Sequence, residues 1–277
     1  MRKNGPQFLS SHLPTTNDIT FIYISSLILA VIMTIASVAG LVSPISSYPT
    51  DDLRQAFVPN DAVNLIIGLP ILLGSMWLTM RGRLVGLLCW PGALFFVLYN
   101  YLAYVFAMPL NWMFLLHLAL VMLSLYTLVS LVTSIDGKTI QQRLTNAVPE
   151  RAAGGILAGL GLLFFVRVIG VIVTALTGGT FLPETELAAN ISDFLITPAW
   201  MIGGILLWRR KEFGYVCGLG LLFQASLLFV ALIIFLLLQP YFTGTSLAMT
   251  DVMAVFIMGL ICFAPFVFFL RGIVAER

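Results

Sequence analysis

Residues 154–177 read GGILAGLGLLFFVRVIGVIVTALT, an unbroken apolar run carrying one charge, Arg167. At a helical rise of 1.5 Å per residue such a run extends about 36 Å, more than the roughly 30 Å of a bilayer's hydrocarbon core. No soluble helix needs so much apolar length, so this stretch reads as a membrane span.

The rest of the chain repeats the pattern. Hydrophobic residues make up 60% and charged residues 9% of the 277, and mean hydropathy is +1.04, where soluble domains hold about one half apolar and one quarter charged residues. Seven further runs of spanning length lie at 19–42, 61–80, 84–107, 111–133, 187–208, 215–238 and 251–270. The sequence therefore predicts an all-α polytopic membrane protein of about eight transmembrane helices. Its single transmembrane domain covers 19–270, between a tail at 1–18 and a short tail at 271–277.

Cations are retained on the cytoplasmic side of a membrane, so their placement orients the helices. Threading eight spans puts Arg2, Lys3, Arg81, Arg83, Lys138, Arg143, Arg151, Arg209, Arg210, Lys211, Arg271 and Arg277 on one face, 12 of the 14 Lys and Arg. Arg54 lies opposite, on the face that carries Asp51, Asp52, Asp61, Glu184, Glu186 and Asp251, and Arg167 is within a span. Both termini are expected in the cytoplasm of a cell-membrane protein. Ser37-Val38-Ala39 imitates a signal-peptide cleavage site, but the run around it is too long for an ordinary signal and reads as an uncleaved helix.

An offset of 128 residues aligns Pro70 with Pro198, Arg81 with Arg209, Gly86 with Gly214, Cys89 with Cys217 and Gly92 with Gly220, without a gap. That predicts two parallel four-helix repeats, 19–133 and 154–270, of the kind found in transporters. Four plus four helices are similar in number to the haem A synthase family. That resemblance would require a set of haem-ligating histidines, and the chain has only His12 and His117.

Polar groups inside hydrocarbon cost several kcal/mol, about +2.5 to +3.5 for an Arg or Asp at a helix centre by insertion scales, and so turn inward and find partners. Counted from the cytoplasmic ends of their spans, Arg167 lies about 20 Å and Asp193 about 22 Å up, on consecutive helices. An ion pair between them is expected. Asn64, Asn100 and His117 come out at roughly 20 to 25 Å, so these five residues form the candidate ligand layer of an outward-facing polar cavity. Pro70 and Pro198 interrupt short spans at equivalent positions and are the candidate hinges.

Other polar and aromatic groups have plainer readings. Asp51-Asp52 reads as solvated loop charge. Gln224, Ser226, Thr127 and Ser130 read as interhelical hydrogen bonds. The five tryptophans, with Tyr99, Tyr101 and Tyr104, include several at interface depth, where an aromatic belt explains them. Gly82 with Gly86, Gly155 with Gly159 and Gly214 with Gly218 are small-residue spacings that suit close helix packing.

The chain contains no HExxH, DDxxD, GxGxxG or CxxC motif, so no metal, haem, nucleotide or other cofactor is implied. No basic patch suggests nucleic acid. The expected partners are the lipid bilayer and a small solute or proton, and the function read from these residues is transport or binding of that solute. A partner subunit, assembly factor or sensor is the alternative, and an enzyme acting on a lipid-soluble substrate the third.

Overall fold

A computed structural model gives the fold, with residues 13–179, 181–244, 246, 247 and 249–275 described. His12 and the terminal cations Arg2, Lys3 and Arg277 lie outside the described residues. The helices are α1 (Thr20–Val42), α2 (Pro44–Ser47), α3 (Asp51–Val63), α4 (Leu69–Met80), α5 (Leu84–Ala107), α6 (Trp112–Ser134), α7 (Gly137–Leu144), α8 (Glu150–Gly178), α9 (Glu184–Trp208), α10 (Glu212–Thr243) and α11 (Met249–Ala275). A π-helical turn, Asn64–Gly68, joins α3 to α4 in one rod. Counting that rod as one, eight helices among the described residues are long and apolar enough to cross a membrane.

The side chains are distributed as lipid demands. Along α1 the bulky Phe21, Ile24, Leu27, Ile28, Val31 and Ile35 are exposed, whereas Ser25, Ser26, Ala36, Ser37 and Gly40 face inward. A soluble helix buries its bulk and exposes its polar face. Here the order is reversed, and the same greasy exterior recurs on α6, α8 and α11. The centre belongs to α5, 83% of whose apolar window is buried, against 22% for α8 and α11.

The second span begins ten residues before the hydropathy break at 61. The Thr50 side chain accepts a hydrogen bond from the Leu53 amide, and Asp51 and Asp52 occupy the first helical turn. A cap plus acids at the positive end of the helix dipole stabilises a start there, so Asp51 and Asp52 belong to a helix rather than a loop. Asp51 pairs with Arg54 one turn on. The last helix likewise continues to Ala275, beyond the tail boundary at 271.

One end of the bundle gathers the interior loops that carry cations. Arg210 lies 3.6 Å from Glu150, whose other oxygen accepts from the Tyr215 hydroxyl at 3.0 Å and the Asn146 amide at 2.8 Å. The amphipathic α7, not foreseen from sequence, lies across this end and donates from Gln141 to the Arg210 carbonyl at 2.7 Å. Asp136 caps it, and the bonds from Thr139 hold its carboxyl below the usual carboxylate range. Residues 13–18 of the expected tail are anchored here too: the Thr16 amide donates to the Ser134 carbonyl at 2.8 Å and the Asp136 amide to the Pro14 carbonyl at 2.9 Å.

The turns after α4 and α9 share a geometry. Gly82 and Arg210 both adopt positive φ, +70° and +55°. The amides of Arg83 and Lys211 reach back to the carbonyls of Leu78 and Leu206, at 3.0 and 2.9 Å. A Cβ added to Gly86 would stand 2.5 Å from the Thr79 nitrogen, and one added to Gly214 would stand 2.3 Å from that of Leu207. The α5 helix meets α10 at Gly92 and Gly220, where a Cβ on Gly92 would come 2.1 Å from the Gly220 carbonyl oxygen. The spacing of Gly155 and Gly159, by contrast, packs against nothing within 4 Å.

Candidate functional site

Among the described residues, the cavities between the helices include two larger ones. The first, about 380 Å³, is walled by Pro91, Gly92, Leu128, Ala199, Phe213 and Leu221 among others and is almost wholly apolar. It offers nothing to orient a polar solute. The second, about 490 Å³, lies in the half of the bundle away from the cationic end and has two unlike walls. Asn60 of α3, Tyr99 and Asn100 of α5, Arg167 of α8, and Asp193 and Thr197 of α9 make the polar side. Phe164, Leu228, Phe229, Leu232, Phe235 and Met258 make the apolar one.

Asp193 organises the polar wall. Its Oδ1 accepts from the Tyr99 hydroxyl at 2.8 Å, and its Oδ2 lies 3.4 Å from an Arg167 guanidinium nitrogen. The Arg167 side chain is 55% exposed and that of Asp193 18%, so the pair stands at the rim of the cavity rather than sealed within it. An exposed ion pair with one long contact is worth at most about 1 kcal/mol. Its contribution to stability is therefore small beside the cost of placing an arginine within a span, and most of the guanidinium's donors remain free for another acceptor.

Of the five residues expected in one layer, Arg167, Asp193 and Asn100 line this cavity, although the Asn100 amide also donates to its own helix, to the Phe96 carbonyl at 3.0 Å. Asn64 and His117 do not. They belong to a second polar cluster around Tyr104 of α5, built on a residue not singled out from the sequence: Asp61, which is completely buried.

Asp61 Oδ2 accepts from the Tyr48 hydroxyl at 2.5 Å and Oδ1 from the Tyr104 hydroxyl at 2.9 Å. Burial, and then the neighbouring Asp61 carboxylate, hold the Tyr48 hydroxyl well above the usual phenol range, so it remains a donor. The side-chain amides of Asn60 and Asn64 point to the Tyr104 oxygen at 3.3 and 3.4 Å. Gly40 of α1 packs directly on the carboxylate, where its missing Cβ would come 1.8 Å from Asp61 Oδ2 and 2.7 Å from the Tyr48 oxygen. Tyr101 bonds Ser37 at 3.2 Å. The His117 ring packs at 4.6 Å from that of Tyr104, yet neither of its nitrogens, both buried, has a hydrogen-bond partner.

The π turn follows this cluster at once. The Leu69 amide bonds the Asn64 carbonyl five residues back, and Pro70 comes next. A proline lacks the amide and collides with the carbonyl four residues earlier, so the widened turn accommodates it; such π turns concentrate at functional sites. Pro198 instead lies inside α9, which continues past it as α-helix.

The tyrosines correct the expected aromatic belt. Tyr99, Tyr101 and Tyr104 are polar ligands of the interior, and Trp90 and Trp200 are buried, donating to Ser26 at 3.2 Å and Gln224 at 2.7 Å. Trp77, Trp112 and Trp208 are exposed, and Arg81 stacks on Trp77 at 3.9 Å. Ser226 and Thr127 bond carbonyls of their own helices rather than a neighbour.

Among the described residues no group of three or more His, Cys, Asp or Glu converges as a metal site, and the three cysteines are free thiols. Against known proteins, the chain matches no family model, no curated protein and no solved structure, so the chemistry rests on the geometry above.

Proposed function

We propose that this chain is a cell-membrane transport protein with both termini in the cytoplasm, which takes a small solute into an outward-facing cavity at Arg167 and Asp193. The observation that carries the reading is the 490 Å³ cavity whose rim holds a half-exposed guanidinium beside a carboxylate and the Tyr99 hydroxyl. A concave, mostly apolar site with a few convergent polar groups is the ordinary form of a small-molecule pocket, and a charge kept within a span is the ordinary mark of a solute or proton pathway.

The orientation follows from the cations, which put the cytoplasm at the Arg-rich end and the cavity in the outer half. Two parallel four-helix repeats account for the matched turns at Gly82 and Arg210 and for the meeting of Gly92 with its counterpart Gly220 at the central crossing. In this scheme an anionic solute competes with Asp193 for Arg167, and a proton on Asp193 releases the guanidinium for it. Pro70 and Pro198 serve as the hinges about which the halves move.

Arg167→Gln keeps the length and polarity of the side chain but removes the charge. In proteoliposomes containing a pH-sensitive dye, the native chain is expected to carry labelled lactate, benzoate or inorganic phosphate, with a matching pH change. The variant should insert normally and show flux at the level of empty vesicles. Native-level flux in the variant rejects this site as the transport site.

A further inference from the structure

Asp61 has no role in the pathway just described, and its surroundings are unusual for a carboxylate. Within a span, an ionised carboxyl ordinarily finds a cation or several strong donors. Asp61 has zero exposure, two hydroxyl donors and no ion-pair partner among the described residues. The one cation close by in sequence, Arg54 of α3, donates to the Tyr48 and Pro49 carbonyls and pairs with Asp51 rather than with Asp61. The loop before α3 brings Tyr48, α5 brings Tyr101 and Tyr104, and α6 brings the His117 ring against Tyr104. From α1 come only Ser37 and Gly40. The α10 helix has no acid, base or tyrosine between Tyr215 and Tyr241. The charged pair Arg167 and Asp193 stands at the cavity.

The packing leaves no room for a further atom on the Gly40 side of the carboxylate. Gly40 closes one side of the carboxylate so tightly that a single added carbon would overlap Oδ2, and the Tyr48 oxygen already sits 2.5 Å from the same atom. A proton is the cation that needs no added room. The cluster is linked to the cavity as well, because Asn60, which donates to the Tyr104 oxygen, also lines the cavity wall.

We propose that Asp61 is a second, separate site on this chain: a proton-binding carboxyl, held by Tyr48 and Tyr104, that exchanges its proton with the cavity on the far side of Asn60. On release the carboxylic O–H bond breaks, its electron pair stays on Asp61, and the proton leaves to the water of the cavity. The carboxylate left behind is held by Tyr48 and Tyr104 as donors. Tyr104 is then drawn closer, and with it the Asn60 and Asn64 amides that hold its oxygen, so the charge on Asp61 is felt by the π turn Asn64–Gly68. The His117 ring lies against Tyr104, and among the described residues neither of its nitrogens has a hydrogen-bond partner. The site stands without the transport reading; only its exchange route through the cavity rests on it.

The test is infrared difference spectroscopy of the full chain in liposomes, stepping the pH in water and in D2O. The carbonyl stretch of a protonated carboxyl should be present, shift in D2O, and be lost in Asp61→Asn. Tyr48→Phe and Tyr104→Phe, which each remove one donor and keep the ring, should move the band without abolishing it, and they serve if Asp61→Asn fails to fold. Asp193→Asn and Arg167→Gln should leave it in place, so a transport site that fails its own test does not touch this result. Arg167→Gln retaining native flux together with a band lost in Asp61→Asn would separate the two sites in the other direction. A band unchanged in Asp61→Asn, or insensitive to both tyrosine variants, overturns the proposal.

Discussion

Gly92→Leu is expected to stop the bundle from assembling, with no monodisperse folded protein recovered in detergent. The obstacle is main chain: a Cβ on Gly92 lands 2.1 Å from the Gly220 carbonyl oxygen and 2.8 Å from its carbon. Oversized residues in a packed core cost about 1–3 kcal/mol when neighbouring side chains can rotate aside. Here no rotamer relieves the clash, and separating α5 from α10 would open the packing around α5, the most buried of the spans. Membrane helices associate largely through close packing, so losing it leaves little to hold the halves together. Gly155→Leu makes the matched control, since nothing lies within 4 Å of that position. It should give native yield and melting temperature, and equal loss in both variants would contradict the packing account.

The second large effect is expected at Gly40. A valine there would drive its Cβ onto Asp61 Oδ2 and the Tyr48 oxygen, at 1.8 and 2.7 Å. Both groups are buried, so displacing them strands polar atoms at about 1–3 kcal/mol each. The loss should appear as a lower melting temperature of the purified protein. Because the clash is with one carboxylate, Asp61→Ala in the same chain should restore part of the stability lost to Gly40→Val. A double-mutant cycle reads that coupling directly, and strictly additive losses would show that Gly40 and Asp61 do not press on each other.

Much of the fold was legible because lipid imposes a simple demand. A span such as 154–177 has only one way to satisfy its backbone and bury its apolar length, and the eight long helices follow from that. What hydropathy could not see was a helix continuing through polar residues. The second span was begun at Asp61 because charges end an apolar run, whereas the Thr50 cap and the acids behind it start the helix ten residues sooner. Asp61 thereby moves about 15 Å into the bundle at the helical rise, from the surface to the interior.

The site was legible in the same uneven way. Depth along consecutive helices brought Arg167 and Asp193 to one level, and they stand 3.4 Å apart. Depth carries no information about rotation, so depth alone groups Asn64 and His117 with them, although both pack against Tyr104 instead. The sequence leaves the tyrosines looking like belt because a position near the end of a span is shared by belt and interior residues alike. One signal did distinguish them: Tyr101 and Tyr104 are three apart, hence on one face of α5. Asn60, Asp61 and Asn64 likewise fall on neighbouring faces of one helix.

In the proposed transporter a water-filled cavity opens on the side away from the Arg-rich loops. This opening is tested most directly by cysteine accessibility. With Cys89, Cys217 and Cys262 replaced by serine or alanine, Ala103→Cys, on the cavity wall, and Lys138→Cys, at the cationic end, are each exposed to a membrane-impermeant maleimide in oriented vesicles. Ala103→Cys should be labelled only from the outside and be protected by a bound solute, and Lys138→Cys only from the cytoplasmic side. Labelling of both from the same side, or none at Ala103→Cys, would contradict it.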